Sequence, residues 1–495
     1  MIAFLKKILP ARGGSKKAGE ARFAPLRFFN TMSGAVEVFE PMKPPRVLMY
    51  NCGPTVYDEQ HIGNMFSQVF TNTLRRVLSA WGYEVRQVVN ITDVGHLVSD
   101  ADEGEDKMEA SARKKGLTAQ QIAQQITEIY FKDLDALGID RSAIQFPRAT
   151  EYIGEQIALV KALEEKGYAY RITDGVYFDT KKFPGYGRLG NINLAGLEAG
   201  ARVEDTGEKK NITDFALWKL SKPGEKRQQE WDSPWGVGFP GWHIECTAMI
   251  FKLLGRQIDI HTGGIEHIPV HHNNEIAQAE SITGKRYAKY WMHHAHITIE
   301  GKKISKSLGN TVYLHNIADR GYSPRAFRLW ALGGHYRTPM NFTWDAIEGA
   351  NTALLKLTRF FFEELGKVSD TAALPDPVFI RHFTDALADD LNTSQAIARM
   401  WELVKDETTA APAKRASLIF ADKILGLGFT EAGAAKKIAV IETSDLPEAV
   451  QALIRERAEA RESKDYAKSD ELRAKIEALG FTVKDSAEGQ QITKK

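Results

Sequence analysis

The chain has 495 residues, 43% hydrophobic and 26% charged, which favours several domains around sizeable cores. Lys and Arg total 65 against 64 Asp and Glu, a formal net charge of +1, so nucleic-acid binding must come from local patches and not from a global field. Two cysteines cannot build a disulfide framework and no apolar run approaches the ~20 residues that span a bilayer, so a cytoplasmic protein with no membrane partner is expected.

The first residues, "MIAFLKKILPARGGSKKAGEARFAP", are basic, with Glu20 the only acid. Lys6 and Lys7 interrupt the apolar start, so it does not read as a secretory signal. A disordered tail, a basic arm near RNA and an organelle-targeting segment all stay open. "RVLMYNC" (46–52) reads as a buried strand ending in the turn residues Gly53 and Pro54. Phe66, Val69, Phe70, Leu74 and Leu78 then mark a helix, and "YEVRQVVNIT" (83–92) a second strand. Strand, helix, strand predicts a βαβ unit and a parallel sheet. "QIDIHTGG" (257–264) and "HHAHITIE" (293–300) are expected to be later strands of it.

Between them, 100–116 is a charged, solvated stretch with helix-forming residues. The part from 146 to 224 mixes short strand and turn signals and reads as an insertion, with 222–242 as its Pro-, Gly- and Trp-rich return loop. From about 345 the pattern is helical. Leu354, Leu357, Phe361 and Leu365 make an apolar stripe, and Asn392, Thr393 and Ser394 are candidate N-caps. A charged helix pair ends at Gly480, and a hairpin is expected around Glu488-Gly489.

Three patterns carry chemistry. In "HIGN" (61–64) a helix begins beside Gly63, which admits a ligand to the backbone, while His61 and Asn64 can donate to phosphate. Alone, the tetrad also suits a structural loop. In "KKISKSLGN" (302–310), lysines at i and i+3 form a cationic loop able to neutralise a departing pyrophosphate, or a plain solvated turn. One pattern after the first strand and the other after the last make a nucleotide-binding signature. The third pattern joins Cys52 and Cys246 to His271 and Glu275, whose i, i+4 spacing puts both on one helix face. These four would make a zinc site of borderline-soft character. Lone cysteines are also ordinary buried fillers.

The blocks "YNCGPTVYD", "HIGN", "NITD", "FALWK", "SPWG", "GWHIEC", "HHNNEIAQAE", "YWMHH", "KISKSLGN" and "GHYRTPMNFT", in this order, resemble the cysteinyl-tRNA synthetases, a family of class I aminoacyl-tRNA synthetases. The resemblance covers roughly residues 28 to 495. It implies an α/β fold, a Rossmann-type doubly wound parallel sheet split by a connective insertion. A helical bundle and a small C-terminal anticodon-binding domain follow. The expected divisions are a basic extension (1–27), the two halves of the catalytic domain (28–145 and 225–300) around the insertion (146–224), a KISKS and stem-contact segment (301–345), the bundle (346–435) and the anticodon domain (436–495).

The resemblance also implies partners and roles. L-cysteine, Mg-ATP and tRNA(Cys) are the expected substrates, with one zinc ion per subunit held by Cys52, Cys246, His271 and Glu275. A monomer is expected. His61, Asn64, Lys303 and Lys306 take the catalytic roles. Thr55, Gly63 and Ser305 join them in binding ATP. Thr92 and Trp242 match the amino-acid pocket, and Glu266 the acid that holds the substrate ammonium. Asn64 stands where the family's tetrad usually has a second His, and Asn273 where Glu is usual. Alternatives are a ligase joining cysteine to an amino sugar and a non-catalytic tRNA-binding paralogue.

Overall fold

The computed structural model describes residues 23–94, 106–193, 208–222, 224, 227–305, 308–368, 372–434, 446–463, 465–486 and 489–494. They fall into two units. One takes residues up to Tyr313 with Gly334–Asn341 and Thr384–Ser394, and the other takes Leu314–Gly333, Phe342–Phe383 and residues from Gln395 on.

In the first unit, β1 (Arg27–Asn30) and β2 (Ala35–Val38) form an antiparallel hairpin. Ahead of it, Phe23 packs on Trp81 and Leu26 is buried, so the end of the expected N-terminal extension belongs to this unit. Residues 1–22 lie outside the described residues. β3 (Arg46–Asn51) carries an unbroken apolar run because both of its faces are covered. α1 (Ile62–Ala80) follows, its apolar stripe buried, and then β4 (Glu84–Val89).

α2 (Lys107–Lys115), capped by Asp106, and α3 (Ala119–Ala136), capped by Thr118, lead to β5 (Ile144–Gln145). The stretch expected to be solvated is therefore anchored from its middle. Asp106 pairs with Arg227, and Met108 and Ala112 are buried. Residues 95–105 lie outside the described residues.

The insertion opens with α4 (Ile153–Glu165). It then builds an antiparallel sheet in the order β6 (Ala169–Ile172), β7 (Gly175–Phe178), β8 (Phe215–Leu220) and β9 (Gly238–Pro240). The expected return loop thus ends as the fourth strand of this sheet. α5 (Trp242–Leu253), β10 (Ile258–Gly264), a π-helical turn at Ile268–His272, α6 (Asn273–Thr283) and β11 (Ala288–His294) complete the catalytic half.

The main sheet runs β11-β10-β3-β4-β5, every pair parallel. Chain order reverses between β3 and β10, so a crevice opens beyond their carboxyl ends, where open α/β sheets bind ligands. A core of Leu48, Tyr50, Val88, Ile244, Met249, Ile258, Ile276 and Trp291 packs beside the sheet and joins it to the insertion through Phe178, Phe215 and Trp218. The sheet strand near 293 is Ala288–His294, which corrects the 293–300 expectation. β12 (Ile297–Ile299) leaves the sheet and forms its own hairpin with β13 (Lys302–Lys303). The break is at Ala295, whose N–H is taken by Tyr336 O at 2.8 Å.

The second unit is mostly helical. α7 (Leu314–Asp319), α8 (Pro324–Leu332) and α9 (Trp344–Arg359) are followed by a π turn at Phe360–Glu364. Leu354, Leu357, Phe361 and Leu365 are all buried, as the stripe predicts. α10 (Pro377–Ala388) and α11 (Thr393–Lys405) share a tip that belongs to the first unit. α11 begins at Thr393, within the expected cap residues. α12 (Ala411–Leu425) precedes α13 (Glu448–Glu462) and α14 (Tyr466–Ala478). Gly480 ends that pair with φ +86°, the left-handed backbone a helix terminus demands. An antiparallel hairpin of Phe481–Ser486 and Gly489–Lys494 closes the chain, with Val483 and Ile492 packed on Val450, Ile454 and Ile476. Glu488, the expected turn residue, lies outside the described residues.

Candidate active site and metal centre

The crevice at the strand-order reversal is a cavity of about 850 Å³. Cys52, Thr55, His61, Gly63, Asn64, Thr92, Trp242, Cys246, Glu266, His271, Lys303 and Ser305 all line it. Glu275 lies fully buried just behind this wall, and Lys306 is outside the described residues.

Each wall has a local cause. Cys52 directly follows β3 and donates its N–H to Thr262 O of β10 at 3.2 Å. Gly53 follows because the chain there presses on the next strand. A Cβ at 53 would stand 1.8 Å from Asn90 O, and the Gly53 N–H is held by Asn90 Oδ1 at 2.8 Å. His61 is the N-cap of α1, its Nδ1 accepting from Asn64 N at 3.4 Å. Ile62 N donates to Val312 O at 2.9 Å, and Gly63 and Asn64 of the first turn line the cavity, at the positive end of the helix dipole. Gly63 leaves no room for a Cβ, which would meet the His61 ring at 2.9 Å and Ile304 at 3.2 Å. Lys303 sits on the β12–β13 hairpin, and Asn310 pins the loop beyond it by accepting from Ser305 N at 2.9 Å and donating to Lys303 O at 3.0 Å.

At the cavity floor the donor atoms of Cys52, Cys246, His271 and Glu275 all lie within 4.8 Å of one another. So do those of Cys52, His261, His272 and Glu275. The first set faces the cavity through three of its members, whereas His261 and His272 do not line it. The donors fit a cation. Oε1 of Glu275 lies 3.2 Å from His271 Nε2 yet makes no hydrogen bond, so buried lone pairs converge on a common point. Two sulfurs, one imidazole and one carboxylate are a set compatible with zinc.

The electrostatics agree. The two thiols shift in opposite directions. Their mutual hydrogen bond, with burial, pushes Cys52 well up, and the same bond pulls Cys246 down to about 6. Burial alone would lower His271, but the nearby Cys246 sulfur and Glu275 carboxylate raise it to about 10. Burial works to raise Glu275, but His261 and His271 hold its carboxyl well below the usual range.

Around this floor is a shell of histidines that motif reasoning does not include. His272 Nε2 lies 3.2 Å from Cys52 Sγ, and its Nδ1 is 2.8 Å from His293 Nε2, which in turn touches Thr31. His261 donates to Glu275 Oε2 at 2.9 Å, as does the Tyr287 hydroxyl at 3.2 Å. Burial and neighbouring imidazoles push His272 and His293 well down, and burial foremost takes His267 to about 3, so these rings stay neutral. The available signal was compositional. Seven of the thirteen histidines fall between 261 and 296.

The amino-acid side of the cavity holds Trp242, whose ring lies 4.5 Å from that of His271, and Thr92, which donates to Glu245 Oε2 at 3.4 Å. Burial would raise Glu266, but its carboxyl is held below its ordinary range, and His296 Nδ1 stands 3.5 Å from its Oε2. Gly264 makes space for that carboxylate, which a Cβ would meet at 2.2 Å. Asn273 ties the ligand-bearing turn to the insertion. Its amide accepts from Leu189 N at 3.2 Å and donates to Leu189 O at 3.1 Å and Ile268 O at 2.7 Å.

Known proteins match this arrangement. The catalytic domain of class I (C) tRNA synthetases matches residues 38–352, the DALR domain 382–418, and the cysteinyl-tRNA ligase anticodon-binding domain 443–492. The chain is 47% identical to cysteine–tRNA ligase 1 of Burkholderia lata over 471 residues, covering 94% of this chain and 97% of that protein. It is 41% identical to the cysteine–tRNA ligase of Thermus thermophilus over 481 residues, covering 94% and 98%. A structure of Mycobacterium tuberculosis methionyl-tRNA synthetase with methionyl-adenylate shares the fold, with TM-score 0.53 at 14% identity over 79% of this chain and 93% of that one. The crevice at the reversal of strand order, the HIGN residues and Lys303–Ser305 on its walls and the matches along nearly the whole chain lead to one conclusion. This chain belongs to the cysteine–tRNA ligase family of class I aminoacyl-tRNA synthetases.

Proposed function

We propose that the cavity activates L-cysteine with ATP and passes it to the 3′ end of tRNA(Cys), and that Cys52, Cys246, His271 and Glu275 hold one zinc ion that identifies the amino acid. The observation that carries this is the convergence of four buried donors on the floor of the nucleotide crevice. A zinc ion there supplies a soft Lewis acid that prefers a thiolate to a hydroxyl. Steric fit alone separates near-isosteres by only ~1–3 kcal/mol.

The chain's own residues do the rest. Trp242 and Thr92 shape the amino-acid pocket, and ionised Glu266 holds the substrate ammonium. That leaves the substrate carboxylate to attack the α-phosphorus of Mg-ATP, forming cysteinyl-adenylate and releasing pyrophosphate. His61, Asn64 and the positive end of α1 hold phosphate and ribose, with Thr55 and Gly63 framing the approach. Lys303, Ser305 and Lys306 close on the triphosphate and stabilise charge on the leaving pyrophosphate. The terminal ribose hydroxyl of tRNA then attacks the acyl carbon, and AMP leaves. Asn64 remains a donor where the family usually has His, so phosphate binding is retained.

The match of residues 443–492 to an anticodon-binding domain supports tRNA as acceptor over an amino sugar. Intact ligands and lysines speak against a non-catalytic paralogue. Two free cysteines fit a reducing compartment, and no helix among the described residues is long and apolar enough to cross a membrane. A cytoplasmic monomer completes the reading.

Charging of total tRNA with cysteine, alongside metal analysis, tests it directly. One zinc per chain and cysteine-specific charging are expected, and charging by a metal-free preparation would sink the zinc role. Truncation after about residue 430 is expected to weaken tRNA binding at least tenfold while cysteine-dependent pyrophosphate exchange stays within about twofold. Equal losses would contradict the division of labour. Asn273→Asp turns a donor toward two carbonyls into a carboxylate. It is expected to lower zinc affinity about 10–100-fold, read by competition with a chromogenic chelator.

A further inference from the structure

The block "GHYRTPMNFT" has no part in the chemistry above, yet residues 334–341 connect a strained helix tip to the lysine loop. Asp390 and Leu391 both have φ +54°, a left-handed backbone disfavoured for residues with a Cβ, and both are buried. The Asp390 carboxylate shows what holds them there. Oδ1 accepts from Phe29 N at 2.8 Å and from the Tyr336 hydroxyl at 2.7 Å. Oδ2 accepts from Arg337, with Nε at 2.7 Å, and His335 Nε2 stands 3.6 Å away.

Held at that end, the segment grips the cavity wall with the other. Tyr336 O accepts from Ala295 N at 2.8 Å, and its ring stacks on Phe70 of α1 at 4.6 Å and 12°. Asn341 Oδ1 accepts from Gly301 N at 2.7 Å and from Thr298 Oγ1 at 2.9 Å. Those bonds hold the two-residue turn of the β12–β13 hairpin, where Glu300 and Gly301 have φ +49° and +75°. The turn fixes the register Thr298↔Lys303, which places Lys303 against the cavity.

We propose that Asp390 and Asn341 are positioning residues that aim the lysine loop at ATP, acting in series through Tyr336 and Arg337. The inference rests on the reading of Lys303 and Lys306 as ATP-binding groups. A loop displaced by about an ångström loses transition-state contacts more than substrate binding.

The test uses the full-length, zinc-loaded chain in cysteine-dependent ATP–pyrophosphate exchange. Asp390→Asn and Asn341→Ala are each expected to lower kcat about tenfold, with KM for cysteine within about twofold of wild type. The double variant is expected to lose little more than the worse single one, because both act along one path. Thermal unfolding is followed for each. If Asp390→Asn does not fold, Tyr336→Phe takes its place, since it removes one bond to Asp390 and keeps the ring stack. Unchanged kcat in folded variants, losses that multiply, or a loss falling on KM for cysteine would overturn the proposal. Lys306→Ala separates the two ideas. If it leaves exchange intact, the reading of the loop fails. If it slows exchange while the positioning variants do not, only the present inference fails.

Discussion

Replacing Cys246 by serine is expected to strip the protein of metal and of cysteine activation together. A hydroxyl neither ionises at neutral pH nor binds a borderline-soft ion as a thiolate does. The change also removes a thiol whose pKa, lowered to about 6 beside Cys52, favours the thiolate. Losing an outer partner of a ligand already weakens a metal site about 10–100-fold, so losing the ligand itself is expected to cost at least ~100-fold in zinc affinity. Cysteine-dependent pyrophosphate exchange should fall by a similar factor, and preference for cysteine over serine should shrink toward the ~10–200-fold that steric fit supplies. Metal content by emission spectroscopy and exchange rates with both amino acids give the answer. Normal exchange by a metal-free Cys246→Ser protein would refute the assignment.

Lys306→Ala is the second large effect. In the proposed reading the KISKS loop meets ATP where negative charge collects on the leaving pyrophosphate, and a preorganised donor there is worth about 10²–10³-fold in rate. Single-turnover adenylate formation is expected to slow by that factor, while calorimetry shows cysteine binding unchanged. Lys303→Ala should do the same through the neighbouring position, since Lys303 lines the cavity. A variant with weakened cysteine binding and a normal chemical step would reverse the roles given to the two walls.

Much of the site was legible in the sequence because its chemistry is rare in composition. With only two cysteines, one closing an apolar strand and the other three residues after Gly-Trp-His, the search for sulfur ligands had one answer. The i, i+4 spacing of His271 and Glu275 needed nothing beyond helical geometry. The parallel sheet was readable from unbroken apolar runs, because a strand covered on both faces has no polar side.

Less was legible where periodicity runs on past an element's end. "HHAHITIE" alternates throughout, yet the sheet strand stops at His294 and the chain turns at Ala295 to pair with Tyr336, a residue forty-one positions away. The charged stretch near 106 reads as solvated because charge usually is, but Asp106 is buried and pairs with the partly buried Arg227. Local pattern therefore pointed to residues that the fold brings to one cavity, and to which segments are strand or helix. Strand order, and with it the crevice, the histidine shell behind the proposed metal ligands and the bonds that run from Asp390 to Asn341, came only from tertiary structure. Those features join residues up to several hundred positions apart, and no period of 2 or 3.6 encodes a distance between them.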